Sequence, residues 1–93
     1  MKTAWSDCQG AWTNLREAVV AAHPYPESHR LLLHIDEGMS WESVRDLELM
    51  RKALTLVENI ARQAKAPKDV IDNIEHVRES FQELLEAFEE GKA

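Results

Sequence analysis

The chain is short of cysteine, glycine and proline, with one, three and three in 93 residues, and each scarcity removes a class of protein. A lone Cys8 leaves no internal disulfide to form and no cysteine pair for a structural metal. The glycines Gly10, Gly38 and Gly91 stand apart from one another, so there is no G-x-G-x-x-G loop or P-loop to cradle a phosphate. No apolar run approaches the roughly 18 residues that a membrane-spanning helix needs. The segment Met1 to Cys8 lacks both an apolar stretch and a small-residue cleavage pattern, so the expected compartment is the cytoplasm. Basic clusters are also missing. With 11 Lys and Arg against 17 Asp and Glu, the formal charge is −6, which argues against direct nucleic-acid binding and against anionic membrane surfaces.

What the chain does have is hydrophobic periodicity at helical spacing. Trp5, Cys8, Trp12, Leu15, Val19 and Ala22 step by 3, 4, 3, 4 and 3, which predicts a first helix from about Ser6 to Ala22 with Cys8 as a buried, inert thiol. Gly10 inside that span costs about 1 kcal/mol relative to alanine, and the expected compensation is a close helix–helix approach. His23-Pro24-Tyr25-Pro26 ends the helix, because each proline disfavours helical geometry in the residue before it. A short second helix follows, with Pro26 near its first turn and Gly38 past its end. Ser40 is read as the cap of a third helix reaching about Lys65, with Met39 stapled to Val44. Its apolar residues form two seams, one through Leu47, Met50, Leu54, Val57, Ala61 and Ala64, the other through Leu49, Ala53, Leu56 and Ile60. So wide an apolar arc predicts a central helix, or one that also serves a subunit interface. Trp41 and Val44 fall off the main arc and are expected to be covered by Leu31 to Ile35.

Pro67 opens the fourth helix, and its residues are sorted by character. Val70, Ile74, Val77, Phe81, Leu84 and Phe88 make one seam, stepping by 4, 3, 4, 3 and 4. Asp72, Glu75, Glu79, Glu83, Glu86 and Glu90 gather on the opposite side. From Asp69 to Glu90 there are eight acids and one base, Arg78, so this segment alone carries −7. The pattern as a whole predicts an all-α fold over residues 1–93: a small antiparallel bundle of three long helices and one short one, with a long C-terminal helical hairpin.

Chemistry finds little to work with. His23, His29, His34 and His76 show neither an i,i+4 pair nor an E-x-x-H motif, so no metal site and no cofactor are expected. Ser28 beside His29 is a sequence neighbour and not a triad, and the carboxylates of the last helix face solvent, where nothing raises their pKa. Catalysis is therefore not expected. Recognition has better material. Tyr25 is pre-ordered between two prolines, Trp41 is the tryptophan expected to be partly exposed, and the acidic face offers Glu79, Glu83, Glu86 and Glu90 to a partner with a basic surface. The ordinary role of such a face is a solvated exterior. In size and charge, though without a shared motif, the chain resembles small acidic helical immunity, antitoxin and phage-encoded inhibitor proteins. That resemblance implies a non-enzymatic protein that binds and modulates or inhibits another protein. The rival expectation is a homodimer through residues 41–65, or a larger assembly, with a small-ligand pocket between subunits near Tyr25.

Overall fold

A computed structural model describes residues 4–22 and 27–89. Within them the chain is all-α, with four helices: α1 (Ala4–Ala22), α2 (Ser28–Ser43), α3 (Leu47–Ala64) and α4 (Lys68–Glu89). They form an up-down-up-down bundle in which α1 lies between α2 and α4, and α3 lies between α2 and α4 on the other side. Neighbours run antiparallel, as side chains that meet across the α1–α2 seam show for that pair: Arg16 of α1 binds Asp36 of α2 at 2.9 Å, and Trp12 of α1 meets Gly38 of α2. The helical seams read from the sequence supply the core. Trp12, Leu15 and Val19 pack with Leu31 and Ile35, Met50 and Val57, and Val70, Val77 and Leu84, all of them buried. The Cys8 thiol donates to the Met50 sulphur at 3.7 Å, and burial pushes its pKa up to about 12, so it stays protonated. The double seam of α3 places Ala53 and Ile60 in the core along with Met50, Leu54, Val57 and Ala61, and leaves Leu56 44% exposed.

The boundary between the second and third helices differs from the sequence reading. Instead of a short helix ending at Gly38 and a long one beginning at Ser40, α2 runs 16 residues through Ser43 and α3 begins at Leu47. Gly38 ends nothing. It is buried within α2 beneath the Trp12 ring, where a Cβ would stand 2.5 Å from the indole, so the close helix–helix approach expected at Gly10 occurs here. Gly10 itself is exposed with nothing near its missing side chain. Trp41 therefore belongs to the last turns of α2, half-buried against the core, and Val44, expected to be covered, is 66% exposed in the connection.

Two reasons explain where the break falls. Asp46 caps α3 by accepting the Leu49 N–H at 3.0 Å, a role for which Ser40 had been the candidate. Just before it, α2 closes with Asp46 N–H donating to Trp41 C=O at 2.9 Å and Arg45 N–H to Glu42 C=O at 3.0 Å. This is a Schellman closure with Arg45 in the left-handed position, at φ 59°. Arginine pays roughly 1–2 kcal/mol for that conformation. Part of it is offset because the Arg45 guanidinium sits 5.0 Å from the centre of the Trp5 ring, a cation–π contact of about 0.5–1 kcal/mol. The α3–α4 turn repeats the device: Lys65, at φ 53°, donates to Arg62 C=O, and Ala66 N–H reaches Ala61 C=O at 3.0 Å. Pro67 then opens α4, its carbonyl accepting the Val70 and Ile71 N–H groups. Among the described residues no helix is long and apolar enough to cross a membrane.

Candidate acidic docking face

The amphipathic pattern of α4 fixes which way its carboxylates point. With Val70, Ile74, Val77, Phe81 and Leu84 buried, the helical period turns Asp72, Glu75, Glu79, Glu83 and Glu86 outward, and all five are exposed. The outward side divides between two neighbours. Towards α1, a shallow groove of about 410 Å³ runs along the α1–α4 seam, with Asp7, Gly10 and Asn14 on one wall and His76, Glu79 and Glu83 on the other. Gly10 keeps this groove open, since no side chain projects from that position. Towards α3, the outward row holds Glu75, Gln82, Glu86 and Glu89.

Two arginines of the helices that carry this surface are engaged elsewhere. Arg78 turns from α4 to α3, where its guanidinium makes a two-pronged hydrogen bond with the Glu58 carboxylate, and that contact raises its already high pKa further. Arg16, on α1, turns the other way to Asp36 of α2. Between them, the α1–α4 side of the bundle presents Asp7, Glu79 and Glu83 with His76, and Glu86 one turn beyond. Its chemistry suits a cationic side chain: an ammonium or guanidinium entering the groove meets carboxylates from both helices. Among the described residues no group of three His, Cys, Asp or Glu side chains is placed to hold a metal ion.

The structure brings together some of the residues singled out from sequence and separates others. Glu79, Glu83 and Glu86 share one face. Trp41 does not join them, because it lies on α2, which is diagonal to α4 in the bundle. Tyr25 and Glu90 lie outside the described residues. Asp7, Gly10 and His76, missed in the sequence reading, complete the groove.

No protein-family model, curated protein or solved structure matches this chain.

The surface itself is therefore the ground for a functional reading. A second acidic group, Glu42, is a different kind of carboxylate. It is only 9% exposed, at the end of α2, and burial pushes its pKa upward while the neighbouring Arg45 charge works to lower it. It belongs to the corner that holds Trp5 and Arg45 and has no share in the outward face.

Proposed function

We propose that this chain is a non-enzymatic protein that binds a partner protein through its acidic α4 face and modulates or inhibits it. The observation that supports this is the diversion of Arg16 and Arg78 to Asp36 and Glu58, so that among the described residues neither arginine turns to the Asp7, Glu79 and Glu83 carboxylates of the α1–α4 side. Folding does not require so lopsided a helix, because these carboxylates point away from the core. A one-signed strip steers a basic partner and speeds its association. The partner in this reading carries a row of Lys or Arg residues at helical or extended spacing, and Glu79 and Glu83 are its first contacts, with Asp7 across the groove and Glu86 beside them.

The test is a paired capture from the native host. Wild-type protein and the Glu79→Lys, Glu83→Lys, Glu86→Lys variant are immobilised side by side, and what each retains is identified by mass spectrometry. Expected is a basic protein held by the wild type and lost from the variant, with helix content unchanged by circular dichroism. Affinity of the purified pair should then fall steeply between about 50 and 500 mM salt, as screening shortens the reach of exposed charges. Equal retention by both forms, or an affinity indifferent to salt, would sink the proposal.

A further inference from the structure

Of the four seams around the bundle, the one between α3 and α4 is the least closed, although only three residues, 65–67, connect these two helices. Near the α3 N-terminus and the α4 C-terminus it opens as a groove of about 360 Å³ floored by Leu54, Phe81 and Leu85. Phe88, the last apolar residue of α4, is 58% exposed beyond it. The rims of this face differ in sign. On the α3 side stand Arg51 and Arg62, with Glu48 at the end; on the α4 side stand Glu75, Glu86 and Glu89. In the middle, Glu58 and Arg78 bridge the seam and cancel.

We propose that the α3–α4 face binds a second copy of this chain, about a two-fold axis parallel to the helices. Two symmetric ways exist to lay a pair of antiparallel helices on its own copy. An axis running across the helices sets α4 on α4, acid against acid, and is disfavoured. An axis running along them sets each α3 on the second copy's α4 and preserves height along the bundle. Height is known within one chain: Arg51 lines a groove with Leu85, and Arg62 lines one with Ile71 and Glu75. The rotation therefore brings Arg51 opposite Glu86 of the second copy and Arg62 opposite its Glu75, each contact made twice. The apolar floor is closed by the same step, and the two Glu58–Arg78 bridges meet near the axis.

The size of the face predicts the strength of the contact. The 18 residues of α3 run about 27 Å, and two adjacent helices are about 20 Å wide, so each copy offers on the order of 500 Å². That is the area of a reversible contact rather than an obligate one. The dimer leaves Glu79, Glu83 and Asp7 on another side of the bundle and shares only Glu86 with the partner-binding proposal; the Arg62 and Glu75 variants touch none of the partner contacts, so the dimer is read separately and needs no partner.

Sedimentation equilibrium measures it. Wild-type protein should pass from 10.7 kDa toward twice that mass as concentration rises from about 1 μM to about 1 mM, more readily at low salt. Arg62→Glu alone and Glu75→Lys alone should each weaken dimerisation about tenfold, since each sets like charges together twice. An equimolar mixture of the two variants should restore it, because in the mixed dimer both of the opposed 62–75 pairs are of opposite sign again. A repulsion confined to one chain gives no such rescue. Arg51→Glu and Glu86→Lys form a second pair for the same mixing experiment should either first variant lose helix content. A wild type that stays at 10.7 kDa throughout overturns the proposal, as do single variants that dimerise like the wild type or a mixture that behaves like its components.

Discussion

Gly10 and Gly38 both lie inside helices, and a methyl group should affect them oppositely. At Gly38 a Cβ would stand 2.5–2.8 Å from three carbons of the Trp12 ring, which is rigid and fully buried. Gly38→Ala should therefore destabilise the fold by about 1–3 kcal/mol in urea titration, overpacking outweighing the gain in helix propensity. Gly10→Ala meets nothing and should stabilise by about 0.5–1 kcal/mol in the same measurement. Glu42 supplies a third prediction at this scale. Its pKa is raised above the ordinary 4.5 by burial, so ionisation is harder in the folded chain than in the unfolded one. The contribution of this group is then most favourable below the unfolded pKa and is lost as pH rises through the folded one. Glu42→Gln should raise the thermal midpoint at pH 7, and the difference from wild type should shrink as the pH is lowered past 4.5, a comparison that differential scanning calorimetry reads directly.

At the scale of the element, the periodic runs were legible and one helix boundary was not. The buried seam of α1 and that of α4 as far as Leu84 follow from their apolar spacing, whereas Phe88, read as the end of the α4 seam, is 58% exposed; Pro67 marks the last turn because its ring is pre-set for a helix start. Around residues 38–46 the sequence offers several stop and start signals at once: Gly38, Ser40 and Asp46 each suit a helix end. The choice among them is made by Trp12, which is 26 residues away in the chain and needs a glycine beneath it. Arg45 and Lys65 hid the true helix ends for a related reason. The left-handed residue that closes a helix is usually glycine, and here two long basic side chains take the position, one of them held against Trp5. Asp46 now carries the start of α3 alone, so Asp46→Ala should cost about 1 kcal/mol in chemical denaturation, while Ser40→Ala, a solvent-facing change inside α2, should cost less than about 0.5 kcal/mol.

For the whole molecule, the exposure of the α4 carboxylates was readable from one helix's own pattern, whereas the groove beside them was not. Which helix lies next to α4 depends on the order of packing around the bundle, and no single amphipathic stripe encodes it. Asp7, Gly10 and His76 therefore became part of the candidate site only when α1 was placed. Charge is unevenly spread over the molecule, so its stability should depend on ionic strength. Raising salt from about 10 to 500 mM should screen the repulsion along α4 and raise the denaturation midpoint, whereas a bundle held together by its exposed ion pairs would weaken. A flat or falling midpoint would show that the Arg16–Asp36 and Arg78–Glu58 bridges outweigh the self-repulsion.

The three tryptophans are placed together. Trp5 and Trp12 belong to α1 and Trp41 to the end of α2, and antiparallel packing brings the start of the one beside the end of the other. Intrinsic fluorescence therefore views one corner of the molecule, and neither α3 nor α4 carries an indole of its own. Circular dichroism weights α3 and α4 equally with the rest. If α4 peels away while α1 and α2 hold, ellipticity will fall before the emission of Trp12 reddens, and the gap between the two curves will give the free energy of opening that helix alone.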